Sequence, residues 1–489
     1  MNRKSKVALV LGGAFLLPGL ILWLVFFWTT HTFHNLNILT IVLYLTNPLT
    51  GVEKRYLFNA GLLVFVVLLA FVLIMVWIKR RSVGAAGVRR SLVFLAASIV
   101  VFASSLYAID RQFQIIEFIF VPERYSSYID DNYAMFSPDE MTFENGKSNL
   151  IMVVLESMDG EFVDGALFSP PIMPHCAELE KEAVVFRGHR QVMGTDYSTA
   201  GFTCMMLGIP AMPPLNMREM VANVFSKEKG KSLLELDKRE WRDYSVMGLL
   251  EQKGYDVCFF TGADISFGGF GNLARSMTKD LTIRDYTYFL ENREDVTEKD
   301  NGWGLNDGFL YARAKEHLAA LSGDRPFFML LQTLDTHSPG YYEPGMERPF
   351  GDARDTFFQA DRMLLDFLGW IRSQPFSENT TVVFVGDHLY PPPSLGSVTL
   401  PPRSERGIMC TFFNARGRPG PEEIRRTFAT FDVAPTLLEA AGASFPERRF
   451  GLGVSLFSPR QTLLEKDGVA KFNKEALSRS RANEERYGW

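Results

Sequence analysis

The sequence is poor in cysteine, and the few it has are badly placed for the usual cysteine chemistry. Cys176, Cys204, Cys258 and Cys410 are its four cysteines. They are scattered, with no CxxC pair, which excludes a zinc ribbon and a dithiol redox centre. They are expected as buried free thiols, with disulfides as the alternative. A basic block is also missing. Lys and Arg total 51 against 56 Asp and Glu, a net charge of -5. Without a Lys/Arg-rich run beyond a few juxtamembrane residues, nucleic-acid binding has no electrostatic support. No internal repeat or low-complexity tract is present. Apolar residues make up 47% of the chain, near the globular average, so their distribution carries more information than their number.

Apolar runs crowd the first 110 positions. Three are long enough to cross a bilayer, at about 7–28, 57–78 and 91–109, since a crossing needs roughly 20 residues. The first is too long for the core of a cleaved leader, and no small-residue cleavage site follows it. Arg3, Lys4 and Lys6 precede the first run. Lys79, Arg80, Arg81, Arg89 and Arg90 lie between the second and third. This bias puts both places in the cytoplasm and everything after Ile109 on the far side of the membrane. The stretch 38–49 is apolar but short and reads as an interfacial or re-entrant piece, with a fourth span as the alternative. No charge interrupts the three runs, which argues against a transporter. Residues 1–110 are therefore expected as a transmembrane region, 111–147 as a juxtamembrane linker, 148–458 as an extracytoplasmic domain and 459–489 as a tail. Within the linker, 112–120 (QFQIIEFIF) reads either as a surface-lying segment or as a plain helix.

From Ser148 onward, short β-branched runs alternate with helical patterns. Strands are expected at 150–155, 257–260, 326–332, 381–385 and 408–412. Continuous apolar runs of this length suit strands buried on both faces, hence an α/β fold with a mostly parallel central sheet. Reactive groups in such sheets sit at the carboxyl ends of strands. Three of these ends are polar: Glu156-Ser157, Gly386-Asp387-His388, and Asp335-Thr336-His337-Ser338-Pro339. Two carboxylates and an imidazole form an oxygen/oxygen/nitrogen donor set suited to Mn²⁺, Mg²⁺ or Zn²⁺. Taken singly, an acid at a strand end is a helix cap or a surface group; their occurrence at successive strand ends points to one site. Between the first two strands lies Gly194-Thr195-Asp196-Tyr197-Ser198-Thr199-Ala200-Gly201-Phe202, leading into a helical pattern that stops at Gly208-Ile209-Pro210. Asp196, Ser198 or Thr199 is a candidate N-cap. A hydroxyl there also meets the needs of a nucleophile beside a divalent cation, with the helix dipole favouring an incoming phosphate.

The stretches LIMVVLES, GTDYSTAGF with LGIP, DTHSP, VVFVGDH and FDVAPTLLEAAG occur in the order used by the alkaline phosphatase/sulfatase superfamily, which the chain resembles. Within it the likeness narrows to the lipoteichoic acid synthases and phosphoethanolamine transferases, and further to the phosphoglycerol transferases of periplasmic glucan biosynthesis. GTDYSTAGF and the stretch VLYLTNPLTG (42–51) carry that last step. The resemblance implies an alkaline phosphatase/sulfatase-like domain with one divalent metal, Mn²⁺ before Mg²⁺ or Zn²⁺, held by Glu156, Asp387, His388 and Ser198. It implies Ser198 as nucleophile, with Thr195 and Thr199 as alternatives, and His337 as the residue that contacts phosphate or protonates the leaving group. Trp303 and Asp307, in GWGLND, and Asp264 would line the substrate site. The implied partners are a phosphatidylglycerol donor and a glycan acceptor, with no nucleic acid.

Two departures matter. Sulfatases carry Cys-x-Pro-Ser-Arg at the nucleophile, whereas Cys204 here precedes Met205-Met206-Leu207. Lipoteichoic acid synthases carry Phe-Trp-Asn-Arg where this chain has Gly262-Ala263-Asp264-Ile265-Ser266-Phe267-Gly268-Gly269. The rival functions are a phosphoethanolamine transferase or a phosphodiesterase on the same site, and a non-catalytic membrane scaffold.

Overall fold

In a computed structural model, the structure describes residues 2–32, 54–83, 85–113, 125–144, 146–211, 241–266, 270–292, 302–321, 323–420 and 423–476, with positions 115, 478 and 480. The segments 38–49 and 42–51, most of 112–120, positions 267–269 and the last nine residues lie outside this set. The chain divides into two compact units. One contains the three apolar helices and the other everything described from residue 125 onward.

The helices are α1 (Arg3–Thr32), α2 (Lys54–Arg81) and α3 (Ala85–Phe113). Each is long and apolar enough to span a membrane. Several of their serine hydroxyls are satisfied within the helix, as hydrocarbon demands. Ser91, Ser98 and Ser105 donate to the carbonyls of Gly87, Phe94 and Phe102 at 2.9, 2.8 and 2.7 Å. Trp23 Nε1 donates across from α1 to Ser104 Oγ on α3. Many apolar side chains of α2, including Leu62, Val66, Leu69 and Leu73, face outward.

The second unit is α/β. Its seven-stranded sheet uses β1 (Asn149–Leu155), β2 (Val184–Val185), β3 (Asp256–Thr261), β4 (Thr282–Arg284), β5 (Phe327–Gln332), β6 (Thr380–Gly386) and β9 (Cys410–Phe413). A small hairpin of β7 (Ser394–Leu395) and β8 (Val398–Thr399) intervenes. The sheet order is β2-β9-β6-β1-β5-β3-β4. β6, β1, β5, β3 and β4 run parallel, while β9 and β2 add an antiparallel edge. Every residue of β1, β5 and β6 is buried, as their unbroken apolar runs require. On one face Ile151, Val153, Met329 and Phe384 pack with Phe357, Leu364 and Phe367 of a long helix, Arg354–Arg372.

The sheet register positions the site. Leu155 lies beside Gly386 and Val154 beside Gln332. The carboxyl ends of three central strands therefore share one rim.

Two boundaries differ from the sequence expectation. Part of the expected linker packs onto the α/β unit: Ala134 bridges to Gly451, Thr142 to Ser444, and Phe136 stacks on Phe445 at 5.3 Å. Part of the expected tail is a helix, Leu463–Ala476, that buries Leu463, Leu464 and Phe472. Arg426 anchors it through Glu465. In both segments scattered aromatic and aliphatic residues find partners far away in sequence, which local composition does not announce. All four cysteines are buried and free.

Candidate metal and nucleophile site

Glu156 is the first residue beyond β1, and Asp387 and His388 come directly after β6. One donor atom from each lies within 4.8 Å of the others, and all three residues are buried. His388 Nε2 is 3.6 Å from Glu156 Oε1 and 3.6 Å from Asp387 Oδ2. His388 Nδ1 donates to the carbonyl of Leu389 at 3.0 Å, so Nε2 carries the lone pair. Asp387 Oδ1 is occupied by the N–H groups of Ser157 at 2.8 Å and His388 at 2.7 Å. Oδ2 faces His388 Nε2 and takes a long bond from Gln332 Nε2, whose own Oε1 is buried without a partner among the described residues.

Three electron-pair donors thus converge on one point. Two ligand atoms each about 2.1 Å from a common ion, in tetrahedral array, stand about 3.4 Å apart. The donor set and its spacing fit a divalent cation. The electrostatics agree. Burial, then the nearby charge of Glu156, pushes Asp387 up to about 7. Burial also resists ionisation of Glu156, but the charges of His388 and His337 and the hydroxyls of Ser157 and Ser198 outweigh it and lower its pKa. His388 is raised: burial opposes its charge, and the two carboxylates more than compensate.

The nucleophile candidate arrives on a helix, α4 (Ser198–Leu207). Its N-cap is Tyr197 in extended backbone, with no side-chain capping bond, and it ends at Gly208 in the left-handed region at φ 67°. Neither Asp196, Ser198 nor Thr199 caps it, which frees the Ser198 hydroxyl. Ser198 Oγ donates to Glu156 Oε2 at 2.9 Å and stands 3.5 Å from His388 Nε2. Thr195 is fully buried and spends its hydroxyl on the Val192 carbonyl at 2.8 Å. Thr199 is buried one position further along α4. Of the three candidate hydroxyls, Ser198 is the one bonded to the donor set. Gly201 lets α4 approach: a Cβ there would lie 2.4 Å from the Asp387 carbonyl oxygen.

His337 is half-buried, gives its Nδ1 hydrogen to the Ser338 carbonyl at 3.0 Å and is close enough to influence Glu156. Trp303 packs on it, with ring centroids 4.3 Å apart. Asp307 has a different position from the one the motif implies. Its side chain is 2% exposed, and its oxygens accept the N–H groups of Leu334 at 2.7 Å and Asp335 at 3.1 Å. Asp335 Oδ2 in turn accepts the Asp307 N–H at 3.0 Å. Asp307 therefore clasps the loop that carries His337 from beneath. Burial, then the Asp335 charge, raises its pKa strongly. Asp264 is half-buried and closes a local turn onto the Ser266 N–H at 2.9 Å.

Sequence reasoning missed the groups that brace the segments carrying these candidate ligands. Thr333 Oγ1 accepts the Glu156 N–H, and Thr336 Oγ1 donates to the Glu156 carbonyl at 2.6 Å. Asp159 and Arg406 form a buried ion pair that holds both the N–H and the carbonyl of Tyr390. Thr336 sits in a motif already singled out, while Asp159 and Arg406 carry no local signal.

Comparison with known proteins bears on the family and the fold. The Sulfatase family model matches residues 148–443, more than half of the chain. The chain is 27% identical over 321 residues to phosphoglycerol transferase I of Xanthomonas campestris pv. campestris, covering 64% of this chain and 43% of that protein. It is 25% identical over 439 residues to phosphoglycerol transferase I of Escherichia fergusonii, covering 85% and 52%. The chain thus spans about half the length of these curated relatives. A crystal structure of an alkaline phosphatase superfamily protein from Vibrio parahaemolyticus superposes with TM-score 0.52 at 20% identity, covering 69% of this chain and 81% of that one. It shares the fold. By this match over more than half of its length, the chain belongs to the Sulfatase family.

Proposed function

We propose that the protein is a membrane-anchored, metal-dependent phosphotransferase that moves phosphoglycerol from phosphatidylglycerol to a glycan outside the cytoplasm. The observation that carries this reading is the Ser198 hydroxyl at the start of α4, bonded to Glu156 and beside His388 Nε2. The named activity of the relatives supports the transferred group. Glu156, Asp387, His388 and Ser198 would hold the ion, Mn²⁺ in the first instance and Mg²⁺ or Zn²⁺ otherwise. When bound, a divalent cation acidifies a neighbouring hydroxyl and offsets charge on phosphoryl oxygens.

The chain's own residues do the rest. Ser198 loses its proton along the bond to Glu156, and its Oγ attacks phosphorus. The bond from phosphorus to the diacylglycerol oxygen breaks, and His337 supplies that oxygen with a proton. Phosphoglyceryl-Ser198 results. An acceptor hydroxyl then gives its proton to His337 and attacks phosphorus, and Ser198 leaves and is reprotonated. The N–H groups at the start of α4 favour the phosphate throughout. The apolar helices keep the enzyme on the lipid surface where the donor resides.

The test is incubation of the full chain with labelled phosphatidylglycerol and Mn²⁺, followed by mass spectrometry of lipid and protein. Diacylglycerol release with a phosphoglyceryl adduct on Ser198, both lost in Ser198→Ala, is expected. Turnover of phosphatidylethanolamine but not phosphatidylglycerol would refute the donor. An adduct on Thr195 or Thr199 would refute the nucleophile.

A further inference from the structure

The segment after His388 belongs to no strand or helix. Among the described residues, Leu389 makes no hydrogen bond to another backbone group, so side chains hold both of its polar groups. Its N–H donates to Gln191 Oε1 at 2.9 Å. Its carbonyl accepts His388 Nδ1 at 3.0 Å and Arg403 Nη2 at 3.3 Å. Arg403 is half-buried, and its Nε is buried without a partner among the described residues. Gln191 lies in the loop that reaches Ser198 seven positions later.

We infer that Gln191 and Arg403 are positioning residues of the metal site, acting through the backbone of Leu389. This rests on the proposal that Glu156, Asp387 and His388 hold a cation. A ligating imidazole is aimed by the acceptor of its second ring hydrogen, and loss of such a partner weakens metal binding by about 10–100-fold. Here the acceptor is a main-chain carbonyl in an irregular loop, which is free to swing unless something grips it. Arg403 grips it with a charge-assisted bond. Gln191 grips the other side of the same residue and ties it to the nucleophile loop. Both side chains bond to Leu389 rather than to Ser198 Oγ or the carboxylates of Glu156 and Asp387; Gln191 thus acts on aim alone, while Arg403 also brings a positive charge near His388.

The experiment uses the full chain in detergent, stripped with chelator and titrated with Mn²⁺ by calorimetry. Gln191→Leu and Arg403→Met should each weaken Mn²⁺ binding at least tenfold. The rate of phosphatidylglycerol turnover should fall at limiting Mn²⁺ and recover at high Mn²⁺, with KM for the lipid within twofold of the parent. Arg403→Lys, which keeps one donor for the Leu389 carbonyl, should recover most of the affinity. A merely structural role would lower the thermal midpoint and leave Mn²⁺ affinity alone. Asp387→Asn is the control for the cation. If it abolishes Mn²⁺ binding while Gln191→Leu and Arg403→Met bind within threefold of the parent, the inference is overturned. If Asp387→Asn binds Mn²⁺ normally, the metal proposal itself falls. Should Arg403→Met not fold, Gln191→Leu decides the matter alone.

Discussion

Replacing Gly201 with Ala adds one methyl group at the point where α4 meets the main chain of the ligand loop. The new Cβ would stand 2.4 Å from the Asp387 carbonyl oxygen, 3.0 Å from its carbonyl carbon and 3.2 Å from its Cα. Close carbon–oxygen contacts settle at about 3.3 Å, so the helix and the loop must separate by about 0.9 Å. All three atoms are backbone, and no side-chain rotation relieves the clash. Overpacking of this kind costs about 1–3 kcal/mol. Ser198 lies three residues earlier on the same helix, about 4.5 Å along its axis. Its bond to Glu156 is 2.9 Å long, and a displacement of that size breaks it. Misplacement of a reacting group by about 1 Å can cost about 100-fold in rate. The expected result is therefore a fall of about 100-fold in diacylglycerol release from phosphatidylglycerol, with a lower thermal midpoint. Gly369→Ala is the matched control. It lies in the helix Arg354–Arg372, and its added Cβ meets nothing within 4 Å. It should stabilise the protein by about 0.5–1 kcal/mol and leave the rate unchanged. A Gly201→Ala enzyme that releases diacylglycerol within threefold of the parent would refute the claim that α4 and the ligand loop fix the nucleophile together.

Three further outcomes concern buried polar groups. His189 is held neutral between the Ile408 N–H and Thr430 Oγ1, and burial, then the charge of Arg190, lowers its pKa to about 3. Below pH 6.5 the unfolded imidazole takes a proton that the folded one refuses, so His189 destabilises the fold as pH drops from there to about 3, by about 1.4 kcal/mol per unit. His189→Gln should remove this slope; parallel melting curves for parent and variant at pH 7 and pH 5 would show the idea wrong. Asp307→Asn sets an amide N–H₂ against the backbone donors of Leu334 or Asp335 and should cost about 1–3 kcal/mol, with slower turnover as the His337 loop loosens. An unchanged thermal midpoint would contradict the clasp. Thr195→Val removes a buried bond to Val192 and should cost about 1 kcal/mol without preventing adduct formation on Ser198; loss of the adduct in a folded variant would count against that assignment.

The ligand set is legible in the sequence because parallel strands buried on both faces must be continuous apolar runs, and the residues just past the end of such a run sit at the sheet rim. That rule puts Glu156, Asp387 and His388 at the rim together with Asp335 and His337, and the family resemblance narrows the proposed metal ligands to the first three. The nucleophile is narrowed less well, since Thr195, Ser198 and Thr199 share one short stretch and only the rotation of α4 separates them. Short edge strands such as Val184–Val185 and Thr282–Arg284 offer too few residues for any period. Asp307 is the instructive case. A motif implies a substrate contact, yet burial beneath the His337 loop assigns its oxygens to backbone donors. Gln191 and Arg403 are illegible for a related reason: gripping a peptide group needs only a polar side chain at the right place, and place is a tertiary property.

The position of β1 at the middle of the sheet dictates when the site can exist during synthesis. Its end is braced by contacts to Thr333 and Asp387, separated from their partners by 177 and 230 positions. Closing loops of that length is entropically costly and slow. A nascent chain released only as far as α4 has Ser198 and Glu156 but neither Asp387 nor His388. Until β6 emerges and slots in beside β1, Glu156 has no partner carboxylate or imidazole to share a cation with. On the proposed function, metal capture would then be a late event, coupled to closure of the sheet, and the ion would report that the last central strand has docked.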